Sequence, residues 1–373
     1  MLPIDLPSRE DLSELAAVRA DACVSIYLET TPVSVDIVAS RIAYGNAIRD
    51  ALGQLEAAGF DKRRALALGE QLDDLAEDDA FWSAQARSLA VLATPDRMRT
   101  FRLANRLSEI VQVADRFHLT PLLRAVTFPH TGFVLALSES SARLIEVFAD
   151  LPAQELRVPD MPSDAASFAG KSSLKDRAPV RRLSGSEGKK VRLRQYARGV
   201  DMALRPIVSG SDVPLVLAAL APIGPIFRSV CTYPGLLEDG IEEAVDTLEP
   251  RRLAEKMRPV LDAAYAREIA AMRQVYQQRM NQRRATSAVD VAARAALAGG
   301  IESLLVDMDV SMPGTINPDT AEITRAAAAS ATTYDVIDEI AAMALATGAR
   351  VRSVRADDLP EGGVLAATLR YAL

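Results

Sequence analysis

From Lys171 to Arg198 the chain reads KSSLKDRAPVRRLSGSEGKKVRLRQYAR, ten lysines and arginines against only Asp176 and Glu187. The segment is opposed in charge to the rest of the chain, which is acidic. Its net charge of +8 stands in a chain whose total is −7, so the remaining residues sum to −15. A segment so opposed to its own protein is a candidate polyanion-binding arm, because each cation brought to a phosphate releases condensed counterions. A solvated surface loop without a ligand is the competing reading.

With 373 residues, 49% of them apolar and 25% charged, the chain can bury two or three separate cores, and wholesale disorder is excluded. The start, MLPIDLPSRED, lacks the basic and apolar regions of a secretory signal. The longest apolar run, Val213 to Phe227, is short for a bilayer and broken by Pro214, Pro222 and Pro225. These features predict a cytoplasmic protein that does not engage a membrane. Cys23 and Cys231, the only cysteines, sit in apolar strand-like contexts and provide no disulfide framework or cysteine-rich zinc site.

Along the chain, Ser8 enters a short helix to Val18, and CVSIYL (Cys23 to Leu28) reads as a buried strand. Val35 to Ala58 carries Val38, Ile42, Ile48, Leu52 and Leu55 at helical spacing, with Gly59 as C-cap. A second helix, Lys62 to Leu75, precedes three strands: Ser88 to Thr94, Met98 to Leu103 and Ile110 to Val113. RFHLTPLLRA (Arg116 to Ala125) reads as a hand-over to the next domain. Gly132 to Leu137 and Ala142 to Val147, joined by Ser138-Glu139-Ser140-Ser141, predict a hairpin. Val158 to Gly170 runs irregularly into the basic stretch, and from Lys189 a helix sets Val191, Tyr196, Val200, Met202, Leu204 and Ile207 on an apolar side. Val213 to Leu220 reads as a central strand. A long helix, Arg251 to about Arg284, carries a second, weaker basic surface of Arg267, Arg273, Arg279, Arg283 and Arg284. The last elements are a helix (Ala288 to Leu297), a strand (Ile301 to Asp307), a helix (Asp335 to Thr347) and strands Ala349 to Val354 and Val364 to Tyr371. This alternation predicts an α/β class with a final α/β/α sandwich.

The chemistry that the chain omits also narrows its function. His118 and His130 are the only histidines, each read as structural, leaving no His-His metal pair and little for a Ser-His-Asp site. Gly185-Ser-Glu-Gly188-Lys189-Lys190 fails as a P-loop: its glycines are too close and Lys190 stands where Ser or Thr is needed. Asp73-Asp74 and Glu77-Asp78-Asp79 lack calcium-loop spacing and read as solvated helix ends. No metal and no cofactor is expected.

Ala341 to Tyr371, AAMALATGARVRSVRADDLPEGGVLAATLRY, resembles the end of archaeal and eukaryotic class-1 release factors and of Pelota, through Gly348-Ala349-Arg350-Val351 and Gly362-Gly363-Val364 with Leu369-Arg370-Tyr371. Ala298 to Val306 resembles the first strand of that same domain. Asp78 to Trp82 with Ser88 to Val91, Asp115 to Leu123 and Thr232 to Glu238 resemble the bacterial archaeo-eukaryotic release-factor-like proteins. The resemblance implies three domains: 1–124 (α/β), 125–247 (a mixed sheet with helices and the basic loop 171–198) and 248–373 (the α/β/α sandwich). It also implies a translation-associated protein near the ribosomal decoding site. The Gly-Gly-Gln of true release factors is missing: the Gly-Gly pairs, Gly299-Gly300 and Gly362-Gly363, precede Ile and Val. In this the chain is closer to Pelota.

The expectation is a non-hydrolytic ribosome-associated factor for rescue, quality control or hibernation that binds rRNA. Lys189, Lys190, Arg192, Arg194 and Arg198, with Arg181 and Arg182 next, are its predicted RNA contacts. An elongation-factor-type GTPase partner is implied by analogy with the superfamily. Two alternatives stay open: a peptidyl-tRNA or RNA hydrolase using, for instance, Glu187, and a regulatory or scaffold protein acting away from the ribosome.

Overall fold

The computed structural model describes residues 4–31, 37–127, 131–148, 151–168, 186–208, 213–307, 309–328, 330, 332–360 and 363–372. Two compact units result, one formed by His130–Ala266 and one by Leu2–Pro129 together with Arg267–Leu373. The fold is a multi-domain α/β one, with four sheets among the described residues.

Helix α1 (Arg9–Ala17) starts at Ser8, whose hydroxyl accepts from Asp11 N while Asp11 accepts from Ser8 N, a reciprocal capping box. Strand β1 (Cys23–Glu29) lies between β2 (Ser88–Thr94) and β4 (Ile110–Ala114), with β3 (Arg97–Leu103) outermost, all antiparallel. Alternation sorts the sheet's side chains. Val24, Ile26 and Leu28 face Tyr44, Ile48 and Leu55 of α2 (Ile37–Ala57) and Leu68 and Leu72 of α3 (Lys62–Glu77). Cys23, Tyr27, Ala90 and Leu92 face the opposite way. Gly59 takes φ +69° where α2 ends, as the sequence suggests. Val38 and Ile42, expected on the buried stripe, are instead 64% and 61% exposed. The core-facing row is the one through Ser40, Tyr44, Ile48, Ala51 and Leu55. Asp78 accepts from Phe81 N to start α4 (Asp79–Trp82), and Asp79 pairs with Arg41, so this acidic run serves local structure. Helix α5 (Thr120–Thr127) closes the segment.

In the second unit, β5 (Gly132–Leu137) and β6 (Ala142–Val147) form the predicted hairpin in a sheet ordered β7-β6-β5-β8, with β7 at Gln154–Leu156 and β8 at Leu215–Ala218. Strand β8 ends this order rather than lying central, although single bridges to Leu236 and Ile241 flank it. Phe133, Leu135 and Leu137 point toward α6 (Ser186–Val208) and α7 (Ile223–Arg228), meeting Leu193, Tyr196, Val200, Leu204 and Phe227. Val134, Ala136 and Ile145 point toward Leu253, Met257 and Leu261 of α8 (Pro250–Met280). Each such Val, Leu, Ile, Phe or Met side chain contributes about 1.5–3 kcal/mol on burial. Helices thus cover both faces of the sheet. Residues of α8 from Arg267 onward count with the other unit.

There, Ile269, Met272 and Tyr276 cover one face of a sheet ordered β14-β10-β15-β9. Its strands are β9 (Ala285–Thr286), β10 (Ile301–Asp307), β14 (Arg350–Val354) and β15 (Leu365–Leu369); β10 pairs parallel with β14 and antiparallel with β15. The other face packs on α9 (Val289–Leu297) and α10 (Val336–Ala346), giving the expected α/β/α sandwich. A separate three-stranded sheet, β11 (Pro313–Ile316), β12 (Ile323–Arg325) and β13 (Tyr334–Asp335), went unread in the sequence because its strands are short and one begins Pro-Gly.

Helix α10 is buried nearly all round, even at Asp338 and Glu339 in its first turn. Their partners come from RFHLT. The Asp338 carboxylate accepts from Leu119 N (2.9 Å) and from Thr120 N and Thr120 Oγ1, so it caps the N-terminus of α5 from 218 residues away. His118 Nδ1 lies 3.5 Å from Asp338 Oδ2. Glu339 Oε1 accepts from Arg19 Nη2 at 2.8 Å and Arg116 Nη1 at 2.5 Å, and the Arg116 guanidinium sits 3.8 Å over the Tyr334 ring. His118 N donates to Ser25 Oγ and Tyr27 Oη donates to the His118 carbonyl, fixing RFHLT to β1. His118 is thus held by Asp338 within this network; His130 lies outside the described residues.

Burial alone would lower the His118 pKa, but the charge and hydrogen bond of Asp338 outweigh it and hold it above the ordinary value. Burial alone would raise Asp338, but the His118 charge and the His118, Thr120 and Leu119 hydrogen bonds hold it below. The His118 contribution to stability is therefore complete below about pH 6.5, the ordinary imidazole value, and fades as pH rises through its native pKa. Glu339 and Asp335, raised chiefly by burial, fade in the same direction from their own lower ordinary values. The Asp338 contribution is complete above about pH 3.9 and fades as pH falls through its native pKa.

Asp338→Ala leaves a buried imidazole and three donors unpaired and should cost about 3–5 kcal/mol in urea unfolding, the usual penalty for halving a buried pair. A loss under about 1 kcal/mol would contradict this role. In Asp338→Asn, NMR titration should find the His118 imidazole protonating at lower pH than in wild type. Gly132→Ala should cost about 1–3 kcal/mol by the same unfolding measurement, since its Cβ would stand 2.7 Å from the Pro214 carbonyl oxygen and 2.4 Å from Met257 Cε.

Candidate nucleic-acid interface

Helix α6 begins inside the basic stretch and sorts its residues by the 100° turn per position. Leu193, Tyr196, Ala197, Val200, Leu204 and Val208 form the face against the sheet. Val191 and Met202, expected there, are 40% and 64% exposed: their phase places them on the opposite side. Ile207 is only partly buried at the margin. Burial pushes the Tyr196 phenol up, and Asp164 and Asp246 add to this.

Lys189, Lys190, Arg192, Arg194 and Arg198 are all exposed, but they are not equivalent. Arg198 projects away from the buried face, Arg194 and Arg192 lie on its two flanks, and Lys190 and Lys189 border the core side at the helix start. The Lys189 ammonium is 2.8 Å from Glu139 in the β5–β6 turn. Among the described residues, Arg192, Arg194 and Arg198 form no ion pair. Arg181 and Arg182 lie outside the described residues, as does most of the basic loop. The alternative acid, Glu187, falls within α6. Sequence reading passed over Arg205, which continues the Arg194–Arg198 side while its guanidinium holds the buried Asp201 at 2.9 Å. Asp201 also accepts from Thr232 N and is held below the usual carboxylate range; burial opposes this, and the Thr232 and Arg205 hydrogen bonds prevail.

The second basic surface resolves differently. Arg279 binds Gln282 and lies 3.6 Å from Glu302, Arg284 donates to the Leu369 and Arg370 carbonyls, and Arg273 reaches the Asp357 carbonyl at 3.5 Å. These arginines secure the end of α8 and its neighbours.

A cleft of about 670 Å³ in the other unit is lined by Arg19, Arg116, Tyr334, Glu339 and Met343, among others. Its charged groups are engaged with one another, and its described lining contains no histidine, serine or cysteine to act as a nucleophile with its base. No group of three metal-ligating side chains occurs among the described residues. No described helix is long and apolar enough to cross a membrane.

The chain is thus a mixed α/β one of more than one domain, with an exposed cationic helix on a three-layer unit. Residues 129–267 match the family described as Bacterial archaeo-eukaryotic release factor family 11. Solved structures similar to the chain include Saccharomyces cerevisiae Dom34, described as a translation termination-like factor involved in RNA quality control pathways and interacting with Hbs1 (12% identity, 100% of this chain and 95% of that one, TM-score 0.41). Others are archaeal Pelota from a model of ribosome-bound Pelota and ABCE1 (13%, 77% and 78%, 0.42) and the archaeal translation termination factor aRF1 (14%, 98% and 98%, 0.24). No curated protein matches the chain.

Exposure of the cations separates binding from folding. Arg192→Ala, Arg194→Ala and Arg198→Ala should each stay within about 0.5 kcal/mol of wild type in urea unfolding. Leu193→Ala, on the buried face, should lose about 2–5 kcal/mol in the same assay.

Proposed function

We propose that the protein is a ribosome-associated translation factor for rescue, quality control or hibernation, binding rRNA through α6 and the basic loop without hydrolysing peptidyl-tRNA. The observation that carries the reading is the concentration of Arg192, Arg194 and Arg198, exposed and without an ion pair among the described residues, on one helix of an otherwise acidic chain. The match of this same segment to the family described as Bacterial archaeo-eukaryotic release factor family 11 supports it. Arg198 acts as the central phosphate contact, Arg194 and Arg192 as flanking ones, and Lys190 and Lys189 as contacts at the helix start, of which Lys189 must first leave Glu139. Arg181 and Arg182, which lie outside the described residues, are proposed as further phosphate contacts. The contacts are electrostatic, so they position the protein on RNA without reading its sequence. An elongation-factor-type GTPase partner belongs to the proposal by analogy alone.

With roughly six phosphates neutralised, affinity for ribosomes should fall on the order of a thousandfold between about 50 mM and 200 mM salt. Co-sedimentation with bacterial ribosomes at these two salts should show that fall for wild type. The Arg194→Glu/Arg198→Glu variant should bind weakly and with a salt slope lower by about 2. Wild type that pellets with neither empty nor stalled ribosomes overturns the proposal.

A further inference from the structure

The solvent side of α6 carries more than charge. Val191, Arg194, Arg198, Met202 and Arg205 follow one another at three- and four-residue intervals and therefore line a single side over about 21 Å. Two of the five are apolar and well exposed, Met202 at 64% and Val191 at 40%. The only aromatic residue in the whole stretch from Lys171 to Arg198 is Tyr196, and its side chain is fully buried against the sheet. Surfaces that hold unpaired nucleotides stack bases on aromatic side chains beside a cationic track. Here the cationic track is present and the aromatic platform is turned inward. What remains is a convex ridge of Arg194, Arg198 and Arg205 with Val191 at one end and Met202 between the last two. It is complementary to a regular double row of phosphates with the sugar-lined groove between them.

We infer that this ridge recognises double-helical RNA, laid along the shallow minor groove, rather than single-stranded RNA. The inference rests on the proposed RNA-binding function of the same helix and narrows its ligand class. Arg194 and Arg198 contact phosphates, Met202 and Val191 pack against riboses in the groove, and the 2′-hydroxyls distinguish the ligand from DNA. Arg205 is restrained by Asp201 and steadies the ridge.

Fluorescence anisotropy of the full-length protein tests this with three labelled probes: a 16-base-pair RNA duplex, one of its strands alone, and the matching DNA duplex. The RNA duplex should bind at least tenfold more tightly than either other probe at the same salt. Met202→Glu and Val191→Glu should each weaken duplex binding several-fold at unchanged thermal stability. Single strand bound as tightly as duplex, or duplex binding indifferent to Met202→Glu, overturns the inference. If no probe binds while wild type still co-sediments with ribosomes in a manner dependent on Arg194 and Arg198, duplex recognition fails and the ribosomal reading stands, with a ribosomal protein surface as its contact. If ribosomes are not bound either, both fail.

Discussion

Two adjacent acids in the first turn of one buried helix hold the larger unit together. Asp338 and Glu339 are 4% exposed each, and a carboxylate so placed is tolerated only when its charge is answered. The answer comes from Arg19, Arg116 and His118 and from backbone N–H groups at the start of α5, with the dipole of α10 itself favouring negative charge there. The apolar contacts of α10 give the unit its bulk. The ionic ones fix how the β1–β4 sheet and the C-terminal sandwich meet, because a shifted register would strand a charge. Arg116 over Tyr334 and Tyr27 on the His118 carbonyl extend the network to both sides.

The middle unit follows a different logic. It contains few buried charges, Asp201 being the main one, and is ordered by strict alternation on β5 and β6 between two helices. That arrangement leaves Arg194 and Arg198 without an ion pair among the described residues, while Arg205 further along holds Asp201. Charge can accumulate at Arg194 and Arg198 without costing stability, whereas the arginines at the end of α8 are committed to carbonyls and carboxylates. Identical residue types thus have different availability according to what lies within reach of them.

Local signals in the sequence were legible: the Ser8 cap, the hairpin from Gly132 to Val147, the turn at Gly59 and the final sandwich all follow from short-range spacing. Helical phase was less so. Val38, Ile42, Val191 and Met202 fit an apolar stripe on paper because a three-or-four spacing accommodates more than one face, and only packing selects between them. RFHLT stood out as a junction, but its partner lies 218 residues further on, and no periodicity connects Thr120 with Asp338. The cationic candidates were found by composition, yet their division into free, flanking and tethered members required Glu139 and the helical phase.

The joining of Leu2–Pro129 with Arg267–Leu373 in one core has a consequence for synthesis. As the chain leaves the ribosome, the β1–β4 sheet emerges early with Cys23, Tyr27, Ala90 and Leu92 awaiting a cover that includes α10, encoded more than two hundred residues later than the last strand of that sheet. His130–Ala266 lies wholly between and can complete its own sandwich first, since its buried partners are all internal to it. Until translation reaches α10, the nascent chain carries a finished middle and an unfinished beginning. A bare sheet face is then a natural client for a holding chaperone.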